Sequence, residues 1–191
     1  MDRPQRRRLT PQARKTEIVE AAERLLQARG GAGVRVEDVV REAGVAKGTF
    51  FLYFPTWDDL LETVRDRLVA AFAAASPPPR ETDGPIDWPA LMDRQAGAYI
   101  DFASARQGIG QAVFHSDFAA RRPMAGDAPV RLAALIRAGQ AAGAFGPVAP
   151  EPTARLLYVA LDEAARAVAA GADRDAMLAA LQHMIRRTLA P

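Results

Sequence analysis

The chain has 191 residues, 49% hydrophobic and 25% charged, with no cysteine and two histidines. That balance excludes a disordered, fibrous or disulfide-stapled protein and leaves little with which to hold a metal ion. The net charge of +2 conceals an asymmetry: residues 1–55 carry 11 Lys and Arg against 7 Asp and Glu, whereas residues 56–191 carry 14 against 16. A basic head on a near-neutral body suits a phosphate backbone or an anionic surface.

The basic start (Arg3, Arg6, Arg7, Arg8) is followed by polar residues, and no run of about 18 uncharged apolar residues exists, so neither a signal peptide nor a spanning helix is expected and the location is expected to be cytoplasmic. Between Gly and Pro signals the chain lacks the alternating pattern of strands, and its frequent alanine favours helix, so the expected class is all-α. The first helix is expected over 16–29, with Ile18, Ala21, Ala22, Leu25 and Leu26 on one face and Gly30 and Gly31 ending it. A second, over 36–43, is followed by a Gly44-Val45 turn and a third over 46–54, which stops at Pro55. Thr56 is a natural cap for a fourth helix over 57–75. The segment 76–87 (SPPPRETDGPID) breaks the pattern as a loop. Helices are then expected over 88–106, 111–120, 129–143, 151–170 and 173–189; only Gly171 and Ala172 separate the last two, which makes them an antiparallel hairpin.

Two short helices joined by a glycine turn at 36–54 read as a helix-turn-helix, in which a braced second helix protrudes far enough to enter a major groove about 12 Å wide. Phe50 and Phe54, one turn apart, are the expected anchors, with Lys47, Gly48, Phe51 and Leu52 facing outward. Taken together, IVEAAERLLQARG (18–30), VVREAG (39–44) and VAKGTFFLYFPTWDDL (45–60) resemble the N-terminal domain of the tetracycline-repressor (TetR) family of bacterial transcriptional regulators over about 45 residues. The resemblance implies a three-helix DNA-binding domain over 1–56 joined to a helical ligand-binding and dimerisation domain over 57–191. It implies Lys47, Gly48 and Phe51 at base edges, Thr49, Tyr53 and Trp57 near phosphates, and no cofactor. Leu52, outward on the same helix, and Arg35 join the expected DNA-binding set. The chain departs from the family pattern at Ala46, where serine is usual, at Phe51, where tyrosine is common, and at Trp57, where lysine is usual; Arg35 stands where Ser or Thr is common and restores a charge.

In the body, Trp88, Met92, Gln95, Tyr99, Phe102 and Arg106 share a helical face, and Met92, Gln95, Tyr99 and Phe102, with Phe114 and Phe118, are the candidates for lining an effector cavity. The final hairpin carries a second apolar stripe, and Ala160, Ala164, Ala167, Met177, Leu181 and Met184 are the candidates for a homodimer interface. The expected partners are a palindromic double-stranded operator, an unidentified small hydrophobic or amphipathic effector and a second copy of the chain, with no membrane. His115, Ser116 and Asp117 are consecutive and splay apart on a helix, so no catalytic or metal residue is assigned. Two other readings remain open from the sequence: a helical DNA-binding regulator without a small-molecule effector, and a helical enzyme with a hydrophobic pocket, which lacks a nucleophile, base pair or metal set.

Overall fold

The computed structural model describes residues 10–30, 33–77, 84–122 and 128–191, and among them every regular element is a helix. The arginine-rich start at residues 3–8 lies outside the described residues. The chain forms two compact units, one from Met1–Leu68 with Gly108–Arg122, the other from Val69–Gln107 with Pro123–Pro191. The expected boundary at 56 therefore falls inside the first unit.

In unit 1, α1 runs over Pro11–Arg29. It begins five residues earlier than expected because Thr10 accepts from the Ala13 N–H at 3.2 Å and Pro11 occupies the first helical position, where its missing N–H is no loss. Gly30 ends it in the left-handed region (φ 62°), donating to the Leu26 carbonyl. Ile18, Val19, Ala21, Ala22 and Leu26 are buried. The next two helices, α2 (Val36–Ala43) and α3 (Lys47–Tyr53), are joined by Gly44 at φ 63°, so the turn is sharp because glycine takes that conformation without a Cβ clash. Then α4 (Trp57–Ala75) starts from a reciprocal cap: the Asp59 N–H donates to the Thr56 hydroxyl oxygen at 3.2 Å, and the Thr56 N–H donates to the Asp59 carboxylate at 2.9 Å. Its residues up to Leu68 belong to unit 1 and the rest to unit 2.

The single short helix expected over 111–120 is two, α6 (Gln107–Phe114) and α7 (Asp117–Arg121), because Ser116 leaves the helical conformation and caps the second through the Phe118 N–H. Ion pairs tie α7 to α4: Arg121 donates to Asp58 at 2.8 Å, and Arg122 to Asp59 at 2.9 Å and to Glu62. The Arg121 bond holds the Asp58 carboxyl below its usual range, and the Thr56 hydroxyl, with Arg122, does the same for Asp59. A carboxylate whose pKa is lowered on folding contributes stability above its unfolded pKa and loses it as pH falls through the folded one. Unit 1 is therefore expected to weaken below about pH 4, and Asp58→Asn is expected to flatten that acid limb in circular-dichroism titration; an unchanged acid limb would remove the pair from the account.

Unit 2 is built from α5 (Trp88–Ser104), α8 (Ala128–Ala141), α9 (Pro150–Ala169) and α10 (Arg174–Leu189), with α9 packed on α5, α8 and α10. Asp87 and Asp173 cap α5 and α10 by accepting from the Ala90 and Ala176 N–H groups at 3.0 and 2.7 Å. Met92 and Ile100 of α5, Ile136 of α8, Leu157, Leu161 and Ala164 of α9, and Leu181 and Ile185 of α10 meet in one buried core. Gly171 (φ 102°) lets the α9–α10 connection close in the four residues 170–173, and Asp101–Arg174 and Asp93–Arg186 pairs join α5 to α10. No helix among the described residues is long and apolar enough to cross a membrane.

Candidate functional site

Short helix α3 has little intrinsic stability, and what holds it is an aromatic anchor. Phe50 and Phe54 are fully buried, with ring centroids 5.6 Å apart, and the Lys15 ammonium lies 5.4 Å from the Phe54 ring. Ala46 sits at the N-cap without a side-chain bond, as its missing hydroxyl implied, and its carbonyl alone receives the Thr49 and Phe50 N–H groups, at 2.9 and 3.3 Å. The anchor leaves the opposite face outward: Leu52 is 83% exposed, Phe51 43%, and Lys47 and Gly48 are exposed as well. A methyl group built at Gly48 would meet nothing within 4 Å, so the chain's own packing does not demand glycine there.

Arg35 is exposed at the start of α2, while Thr49, Tyr53 and Trp57 are half-buried. The first turn of α4 also carries Asp58 and Asp59, which favour the positive end of the helix dipole. One side chain that the sequence did not single out enters this surface: the Glu37 carboxylate accepts from Lys47 Nζ at 2.6 Å, and that bond holds the Glu37 carboxyl below its usual range. Lys47 is thus oriented by α2, and an incoming anion must compete with Glu37 for it. Nothing in the residue types alone brings positions 37 and 47 together, because their meeting depends on the angle of the Gly44 turn.

The six effector candidates do not fall in one compact unit. Phe114 and Phe118 belong to unit 1, where Phe118 is buried beneath the Arg65 guanidinium, 5.0 Å from its ring. Arg65 is itself buried and donates to the Arg122 carbonyl, so Phe118 has a packing role there that a count of aromatics could not reveal. The other four lie on α5 in unit 2. Met92 is in the core, Gln95 accepts from the Ser76 hydroxyl, and Tyr99 and Phe102 both meet the Phe72 ring, at 5.6 and 5.3 Å. Tyr99 also meets Tyr158 at 5.8 Å and lies 3.5 Å from Asp162, and burial, with these neighbours, pushes its hydroxyl well above the usual phenol range.

On the final hairpin, Ala164 and Leu181 are buried in the core of unit 2, whereas Ala160, Ala167 and Met177 are half-buried and Met184 is 38% exposed. The outward apolar face also holds two residues absent from the sequence expectation, Leu156 at 73% and Val159 at 64% exposure. A stripe at helical spacing shows that one face is apolar but not which of two adjacent stripes the chain keeps for itself.

Residues 18–64 match the family described as bacterial regulatory proteins, tetR family. Over 79 residues the chain is 34% identical to the HTH-type transcriptional regulator EthR of Mycobacterium tuberculosis, covering 39% of this chain and 37% of that protein; the match thus spans little over a third of the curated relative. Among solved structures, a tetR-family transcription regulator from Shewanella sp. PV-4 is 25% identical with a TM-score of 0.69, over 93% of this chain and 98% of that one. A tetR-family regulator from Rhodococcus sp. is 18% identical with a TM-score of 0.70, over 94% of this chain and 100% of that one, and shares the fold. The fold is also that of RolR in complex with resorcinol, at 17% identity and a TM-score of 0.64, over 91% of this chain and 88% of that chain.

Proposed function

Through residues 18–64 the chain belongs to the tetR family of bacterial regulatory proteins, and from that premise we propose a transcriptional regulator that binds a palindromic operator as a homodimer, represses, and is released by a small apolar or amphipathic effector. The observation that carries the DNA-binding reading is the form of α3: a seven-residue helix fastened by Phe50 and Phe54, with Lys47, Gly48, Phe51 and Leu52 turned outward. Those residue types suit a major groove. Lysine donates to guanine O6 or N7 or to a phosphate, aromatic and aliphatic groups meet thymine methyls, and glycine lets the backbone come close. Arg35, Thr49, Tyr53 and Trp57 flank that face as candidates for the phosphate backbone.

Gly48→Ala tests the reading without disturbing the fold. In open space on a helix the change is expected to leave stability equal or raise it by up to about 1 kcal/mol, while a methyl pressed against a base edge lowers operator affinity. Thermal unfolding beside a fluorescence-anisotropy titration of the duplex checks both; a stable variant with undiminished affinity would move the DNA surface away from α3.

Support for the homodimer comes from Leu156, Val159 and Met184, exposed on adjacent helices beside Ala160, Ala167 and Met177. Val159→Glu, which leaves the protomer core untouched, is expected to give a folded monomer with operator affinity reduced by about a hundredfold or more, since each head then grips one half-site alone. Sedimentation reads the first effect and duplex titration the second. A dimer that persists would put the interface elsewhere.

The effector reading draws on the aromatic group of unit 2, where Tyr99 and Phe102 gather around Phe72. RolR, which shares the fold, binds the small aromatic molecule resorcinol in its complex, and this supports the reading.

A further inference from the structure

Most arginines of unit 2 have an evident charge environment. Arg137, Arg166, Arg174 and Arg186 pair with carboxylates, and the others that stand on helix surfaces are exposed. Arg106 and Arg131 differ: both are half-buried, and among the described residues neither has a carboxylate partner. Each instead makes one long bond to a backbone carbonyl, of Phe102 and Ser76 respectively, both at 3.4 Å. Each also lies over a ring, Arg106 at 4.1 Å from the Phe102 centroid and Arg131 at 5.7 Å from that of Phe72. Those two rings are themselves only 5.3 Å apart. Two partly desolvated guanidiniums thus border one aromatic surface.

Ring faces and weak carbonyl bonds leave most of a guanidinium's five donors unused, and partial burial makes an unanswered positive charge costly. The acid recorded on the cluster, Asp162, meets it through Tyr99 and is engaged by Arg166. A ligand carboxylate supplies the missing charge and accepts from the planar fork, while an apolar body attached to it covers the rings.

We propose that the effector of this chain is an anionic amphipathic molecule, a carboxylate on an aromatic or acyl body, bound with its charge between Arg106 and Arg131 and its body against Phe72, Tyr99 and Phe102. The inference rests on the effector-responsive reading above and narrows it from small apolar molecules in general to acids. It discriminates by charge, because the uncharged amide of the same body leaves the two guanidiniums unanswered.

The test is calorimetric titration of the full chain with 1-naphthoate and octanoate, beside 1-naphthamide, octanamide and octylamine. The acids are expected to bind about tenfold or more tighter than their amides, and the amine not at all. Arg106→Gln and Arg131→Gln are each expected to bring the acid down to about the affinity of its amide while leaving the amide unchanged. That unchanged amide shows the variant is folded, and Arg106→Lys and Arg131→Lys keep the charge and are expected to recover part of the loss. Amides binding as tightly as acids, acids unaffected by either Gln substitution, or no acid binding would each overturn the proposal. Duplex titration of the unliganded chain separates the two claims: DNA binding without acid binding defeats the acid site alone, and acid binding without DNA binding leaves the site standing and defeats the regulator.

Discussion

Phe50→Ala is expected to cost unit 1 about 3 to 5 kcal/mol, the usual penalty for removing a buried phenyl ring. Phe50 is wholly buried, touches Phe54 at 5.6 Å and Phe51 at 5.3 Å, and is the fixed point from which the outward face of α3 is hung. A helix of seven residues has too few internal bonds to persist once its anchor is gone. Specific DNA binding should therefore disappear at temperatures where α1 is still helical. Phe54→Leu, which keeps an apolar side chain of lesser volume, should lose less on both counts. Urea denaturation beside duplex titration checks the pair, and a Phe50→Ala protein that retained operator affinity would show that α3 is not the reading helix.

A comparable loss of stability is expected from a single methyl group at Gly108. A Cβ at Gly108 would stand 2.3 Å from the Gln27 carbonyl oxygen and 2.6 Å from that of Leu26, so α6 can approach the end of α1 only without a side chain there. Both obstacles are backbone, which cannot rotate aside, and the cost of Gly108→Ala is expected at or above the upper end of the usual 1 to 3 kcal/mol for overpacking. Gly110, two residues on, has nothing within 4 Å, and Gly110→Ala is expected to be neutral or stabilising by up to about 1 kcal/mol. Equal denaturation midpoints for the two variants would contradict the close approach of α6 and α1.

Which parts of this structure the sequence disclosed follows from how local their determinants are. The helix-turn-helix was legible because its signals lie within twenty residues: Gly44 for the turn, Phe50 and Phe54 one turn apart, Pro55 as the stop and Thr56 as the next cap. The early start of α1 was marked in the same local way by Thr10 and Pro11, but the polar residues that follow hid the apolar period that would have drawn attention to it. What escaped was long-range. The return of 108–122 to unit 1, the Lys47–Glu37 bond and the burial of Arg65 over Phe118 each depend on residues distant in sequence or on the angle of a turn. The body shows the same limit, since Tyr99, Phe102 and Arg106 stood out together on one helical face whereas Arg131, far along the chain, gains its meaning only from lying over Phe72.

Selection of bound duplexes from a random-sequence library by the full chain, repeated with Lys47→Ala, tests the central claim most directly. The account predicts enrichment of a sequence that reads alike on both strands, with half-sites centred about 34 Å or a multiple of it apart, and a change of preferred base confined to symmetry-related positions in the variant, worth about 1 to 3 kcal/mol at each. Binding that enriches no sequence, or an enriched sequence that Lys47→Ala leaves unaltered in preference and affinity, would contradict the assignment of Lys47 on α3 as a base-reading residue.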